Sequence, residues 1–182
     1  FYDGDLSAII IQNLPSWAEF IRVPKRSVAL MDDWEKKIEQ MAEDTIPHNV
    51  TSLTGVPSWM LLLLKRVLEK TGKSSIQEVW PNLEVYFHGG VNFAPYQDQF
   101  EKLINSPDMS YMETYNASEG FFGIQDQVNS RELLLMLDYG IFYEFLEVDD
   151  AGDVGDYAIP LDDVKLGKVY AMVISTNAGL WR

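Results

Sequence analysis

Apolar and polar positions alternate between two rhythms along the chain, and the change of rhythm falls near its middle. Leu6–Gln12 is a continuous apolar run with three isoleucines, which predicts a buried parallel strand. Pro15 and Pro24 bracket a short segment carrying Trp17 and Phe20. Trp34, Ile38 and Met41 or Ala42 recur at helical spacing, so a helix is expected from Trp34 to about Glu43, capped by Asp32 or Asp33. Asn49–Thr54 reads as a short strand ended by Gly55 and Pro57, with Pro57 free to occupy a first helical turn. Trp59–Lys70 then reads as a helix stopped by Gly72, its Met60–Leu64 stretch apolar throughout and hence buried. Ser75–Val79 is one further turn.

Leu83–His88 predicts another strand, followed at once by Gly89-Gly90. A helix from Pro95 to about Asn105 would turn Phe100, Leu103 and Ile104 inward. Ser110–Tyr115 and Phe121–Ile124 are two short strands on either side of a turn. Strand–helix alternation of this kind predicts a parallel sheet covered by helices. Beyond Gly123 the pattern changes. Glu132–Leu137, Ile141–Val148 and Lys168–Ser175 read as strands, with turn signals at Tyr139-Gly140 and Asp149–Gly152, and no helix of useful length follows Asn105. The expected fold is α/β: a parallel or mixed sheet covered by helices, then an antiparallel strand-rich subdomain. The expected division is a nucleotide-binding core over 1–125 and a strand-rich continuation of the same large domain over 126–182.

Composition narrows the chemistry. The chain of 182 residues contains no cysteine, so disulfides and thiolate chemistry are excluded and a disulfide-braced secreted fold is disfavoured. No run is long and apolar enough for a membrane span, and the first residues lack the basic region of a signal peptide, which points to a cytoplasmic protein. The formal net charge is −14, with a balance of −5 over residues 1–110 and −9 over 111–182. A protein that grips a nucleic-acid backbone shows the reverse sign. Both ends look cut, since strand-like residues begin by Leu6 and Thr176–Arg182 follows a strand without a loose tail.

The stretch Tyr115–Gly123 places an aromatic ring, a hydroxyl, a carboxylate and two glycines within nine residues. Glu119 could hold a magnesium ion that bridges phosphate oxygens. Ser118 could donate to the same phosphate, a charge-assisted contact of roughly 1.5–3 kcal/mol. Tyr115 could stack on a base. The same residues equally suit a plain turn. Gly89-Gly90 either forms a tight strand-to-helix turn or lets the backbone approach a flat ligand, with the next helix start favouring an anion. His88 either closes a strand or acts as an acid–base, and neither it nor His48 has a partner at metal-ligand spacing. Asp149–Asp153 reads as a solvated hairpin rather than a calcium loop, because the twelve-residue pattern is missing. Nothing in the spacing sets Glu119 against Asp138 as a paired-carboxylate hydrolase would need.

Six stretches, in one order, give the chain a resemblance. They are Gly4-Asp-Leu-Ser-Ala8, Leu30-Met-Asp-Asp-Trp-Glu-Lys36, Leu53-Thr-Gly-Val-Pro-Ser-Trp59, His88-Gly-Gly-Val-Asn-Phe-Ala-Pro95, Tyr115-Asn-Ala-Ser-Glu-Gly120 and Ala178-Gly-Leu-Trp-Arg182. Together they resemble the bacterial branch of the auxin-responsive Gretchen Hagen proteins, acyl-adenylating acid-amido synthetases. That resemblance implies ATP and Mg2+ as cofactors, a small carboxylic acid as substrate, and an amine or amino acid as acceptor. Gly89 and Gly90 would line the adenine side of the nucleotide pocket, with Val91 and Asn92 continuing the loop. Tyr115 would lie beside the adenine, with Asn116 and Ala117 in the same nucleotide-binding stretch. Ser118 would touch the α-phosphate and Glu119 would hold magnesium. Val56-Pro57 and the helix after them would approach the acid. The family's phosphate loop would lie upstream of Phe1. Its ribose-binding aspartate and small mobile domain would follow Arg182, so these residues would carry part of a site and be inactive alone. A catalytically silent nucleotide-binding or scaffold domain is the alternative.

Overall fold

The computed structural model describes residues 6–128 and 130–176. Gly4 and Asp5 of the first quoted stretch, and all of Ala178–Arg182, lie outside the described residues. Contacts divide the chain into two compact units, one formed by Phe1–Ser118 with Gly123–Leu134, the other by Glu119–Phe122 with Leu135–Arg182.

The first unit opens with α1 (Leu6–Gln12), where a strand was expected. The consecutive apolar residues Ala8–Ile11 carry no period, so their pattern alone cannot separate strand from buried helix. The end of the segment is what helical hydrogen bonding holds. The Asn13 amide and side chain both donate to the Ile9 carbonyl, and the Arg26 guanidinium donates to that of Gln12. Ile9 and Ile10 are about half exposed, contrary to a buried strand. A 3-10 turn (Ser16–Phe20) and the single-turn α2 (Arg26–Ala29) follow.

In α3 (Trp34–Thr45), Asp33 is the N-cap, its carboxylate accepting from the Lys36 amide at 3.1 Å. In α4 (Pro57–Thr71), Pro57 stands in the first turn and Gly72 ends the helix with φ 65°. Met60, Leu61, Leu63, Leu64 and Val67 are buried, whereas Leu62 turns outward and is nearly half exposed. Helical geometry thus breaks the all-apolar stretch into an inner and an outer face. Helices α3 and α4 are also laced by ion pairs. Glu39 meets both Arg66 and Lys70, and Glu43 meets Lys70.

Strands β1 (Ser52–Gly55), β2 (Val85–Gly89) and β3 (Ser110–Ala117) are parallel neighbours, joined by α4 and by α5 (Ala94–Ile104). Leu53, Tyr86 and Tyr111 share one register row. On that face Tyr86 stacks on Phe100 and meets Phe93 edge-on, while Leu64, Val67, Ile76, Trp80 and Ile104 complete a core almost closed to solvent. Burying each large side chain there contributes about 1.5–3 kcal/mol. The Trp80 indole N–H donates to the Thr45 carbonyl, and the Tyr86 hydroxyl to that of Gly55. Asn105 caps α5 in the left-handed conformation.

The five-stranded sheet has the order β1-β2-β3-β4-β5, with β4 at Gly120–Ile124 and β5 at Leu134–Leu135. The strand expected over Glu132–Leu137 is therefore two residues long. In the second unit, β6 (Ile141–Val148) is the centre of an antiparallel sheet between β7 (Val154–Pro160) and β8 (Val169–Thr176). Strand β7 had no counterpart in the sequence reading. Its side chains are nearly all exposed, so no apolar alternation marks it. The fold is α/β, a parallel and mixed sheet covered by helices followed by antiparallel strands.

Candidate functional site

Parallel strands leave their carboxyl ends in a row, and loops leaving that edge are where open α/β sheets hold ligands. Here the row is Gly55, His88 and Glu113, with Gly89 beside Thr114 one step further. Gly89 is tightly placed, since a β-carbon there would overlap the Thr114 carbonyl oxygen. The Thr114 hydroxyl donates to the His88 carbonyl at 3.2 Å. Gly90 turns the chain with φ 81°, a conformation costly for a residue with a β-carbon, and its nearest neighbour is a Val56 methyl.

Val91 and Asn92 are exposed and lead into α5. The Asn92 side-chain carbonyl accepts from the Ala94 amide at 3.0 Å, and Phe93 is the helix N-cap. This hydrogen bond ties the loop's far end to the start of α5.

Strand β3 outruns β2. Tyr115, Asn116 and Ala117 continue it past Thr114, and Ser118-Glu119 form the two-residue turn into β4. At about 3.3 Å per residue, Ser118 stands roughly 13 Å of strand beyond Thr114. Tyr115 is about half exposed, Asn116 and Ala117 are half-buried, and Ser118 and Glu119 are exposed. The base of this hairpin is held by Gln125, which is buried. Its amide donates to the Glu113 carbonyl, and its side-chain oxygen accepts from the Glu113 amide. Neither Gln125 nor Thr114 was marked by the sequence, because a polar residue at a strand end gives no sign of what it bonds.

His88 sits among rings. It lies parallel to Phe93 at 4.0 Å and 5.6 Å from Tyr86, and it is 4% exposed. Burial pulls its pKa from 6.5 down to about 4, so the ring is neutral at physiological pH. Its Nδ1 is buried with no hydrogen-bond partner. An unsatisfied buried group of this kind costs about 1–3 kcal/mol. Burial also raises the Tyr86 hydroxyl, and it pushes Tyr111 up to about 12 with help from the Glu101 charge.

Among the described residues no cluster of three or more histidine or acidic side chains could hold a metal alone. One exposed carboxylate, Glu119, suits an ion such as magnesium, which keeps waters and takes one or two carboxylates alongside substrate phosphates. At the acidic hairpin tip, Asp149 accepts from the Ala151 and Asp153 amides, as a plain turn requires. Two surface grooves lie elsewhere. One is lined by Glu101, Asn105 and Met109 at the start of β3, the other by Met31, Glu39 and Arg66 beside α3 and α4. Among the described residues, no helix is long and apolar enough to cross a membrane.

Residues 1–109 match the GH3 family N-terminal domain, and residues 134–182 match the GH3 family central domain. Over 118 residues the chain is 36% identical to indole-3-acetic acid-amido synthetase GH3.4 of Arabidopsis thaliana, a match covering 59% of this chain and 19% of that protein. The solved structure of GH3.15 acyl acid amido synthetase superposes with a TM-score of 0.64 at 14% identity, covering 96% of this chain and 40% of its own. The chain thus spans about a fifth of the length of the curated relative.

Proposed function

The chain belongs to the GH3 family, and from that premise we propose that the full-length protein activates a carboxylic acid with ATP and passes the acyl group to an amine or amino acid. In the first step a carboxylate oxygen attacks the α-phosphorus and pyrophosphate leaves. In the second the amine nitrogen attacks the acyl carbon, loses its proton, and AMP leaves with the electron pair of the broken C–O bond. A carboxylate accepts no amine until its oxygen has become a leaving group, and neither step needs a protein nucleophile. The residues in hand contain no cysteine to serve as one.

The observation that carries this reading is the register of β2 and β3. It sets Gly89-Gly90 and the Tyr115–Ser118 overhang on adjoining carboxyl ends of one parallel sheet. Gly89, Gly90, Val91 and Asn92 would follow the base along one strand end, and Tyr115, Asn116 and Ala117 along the next. Ser118 would donate to the α-phosphate. Glu119 would hold Mg2+, which when bound offsets charge on the phosphate oxygens. We take residues 1–125 as the nucleotide-binding core and 126–182 as its continuation, and assign the chain to the family's bacterial branch on its six quoted stretches. A cytoplasmic setting, where ATP is available, suits the reaction.

The test is ATP–pyrophosphate exchange by the full-length protein, with and without added carboxylic acids. Acid-dependent exchange is the expected result. Absence of exchange, together with no binding of ATP or AMP into the millimolar range, would leave a silent scaffold in its place.

A further inference from the structure

His88 is the last side chain of β2 before the Gly89-Gly90 bend, and its burial leaves Nδ1 with no partner. Side chains alternate between the two faces of a strand, and register partners in neighbouring parallel strands share a face. His88 therefore shares its face with Tyr86, and with Tyr111 and Glu113 on β3. Tyr115, two residues further along β3, continues that face to the sheet edge, where it is 49% exposed. The role inferred for His88 rests on the proposed function, in which a base lies beside Tyr115.

A neutral imidazole offers one donor and one acceptor and no charge. Phosphate is served by cations and by clustered amides, so an uncharged ring is poorly matched to it. The edge of a purine is a neutral pattern of donors and acceptors and matches well. We propose that His88 is a specificity-determining residue for the nucleotide: in the tautomer that carries its proton on Nε2, Nδ1 accepts a hydrogen bond from the exocyclic 6-amino group of adenine. The Phe93 ring, near-parallel to the imidazole at 4.0 Å, restrains the plane in which that lone pair lies. Val91 and Asn92 lie exposed between the Gly90 bend and Phe93, where a base edge would meet them.

The test compares ATP with purine riboside triphosphate, which lacks the 6-amino group, in exchange by the full-length protein. The unaltered protein should prefer ATP by about tenfold to hundredfold. His88→Phe keeps the ring stack and removes the nitrogen. It should lose that preference through a raised KM for ATP at little-changed kcat, and His88→Gln, whose side-chain oxygen can accept, should recover part of it. Equal preference in His88→Phe and the unaltered protein would overturn the proposal.

Imidazole nitrogen NMR of the unaltered protein supplies a readout that no variant's folding can blur. Saturation with AMP should move the His88 Nδ1 resonance, and purine riboside monophosphate should not. His48 is an internal control, since its Nδ1 already lies 2.7 Å from the Asp44 carbonyl. If AMP binds and the His88 signal stays in place, this inference fails and the proposed function stands. If neither AMP nor ATP binds, both fail.

Discussion

A β-carbon on Gly89 would overlap the carbonyl oxygen of Thr114, its register partner on β3. Gly89→Ala should therefore push β2 and β3 apart and destabilise the protein by about 1–3 kcal/mol, as overpacking does. A β-carbon on Gly90 would make only an ordinary van der Waals contact with a Val56 methyl, so Gly90→Ala suffers chiefly from its positive φ, at about 1 kcal/mol. Urea midpoints of the two variants rank them, and a larger loss at Gly90 would contradict the packing account.

Glu119→Gln should lower ATP–pyrophosphate exchange by about a hundredfold or more, the scale of a lost stabiliser of developing charge. Ser118→Ala should lower it by about tenfold. Both side chains are exposed at a turn, so circular dichroism should match the parent. Undiminished exchange in Glu119→Gln would remove the metal role assigned to it.

His88 makes stability depend on pH. The unfolded chain takes a proton near 6.5 and the folded one only near 4. Between those values the unfolded state holds more protons, so stability rises with pH. Going from pH 7 to pH 4 should cost about 3 kcal/mol through this one ring. Denaturation of His88→Phe across that range should show a correspondingly flatter profile. An unchanged slope would mean the imidazole is solvated in the folded protein.

Glu39 gives dependence through the opposite charge type. Lys70, then Arg66, holds its carboxyl below the ordinary 4.5. Its contribution is therefore complete above that value and disappears as pH falls through the lower, folded value. Glu39→Gln should be less stable than the parent at pH 7, and the gap should close in acid and shrink in molar salt. A gap indifferent to salt would point to packing rather than ion pairing.

Punctuation made much of the first unit readable. Asp33, Pro57, Gly72 and Asn105 stand at helix ends for stereochemical reasons that survive tertiary context. Leu6–Gln12 was unreadable because its consecutive apolar residues Ala8–Ile11 show no period, and β7 because an exposed strand has no inner face to mark it. At the candidate site, the glycine pair and the Tyr115–Glu119 stretch were visible as residues. Their neighbourhood was not, since register is a long-range property: nothing local says that Gly89 meets Thr114. The solitary Nδ1 of His88 was equally hidden, because satisfaction of a polar atom depends on every element packed around it.

The hairpin tip after β6 offers a practical handle. Asp149 pins that tip through the backbone amides of Ala151 and Asp153, leaving the Ala151 methyl idle and facing water. Ala151→Cys would introduce the sole thiol among these 182 residues. A fluorophore attached there could report on the three-stranded antiparallel sheet centred on β6.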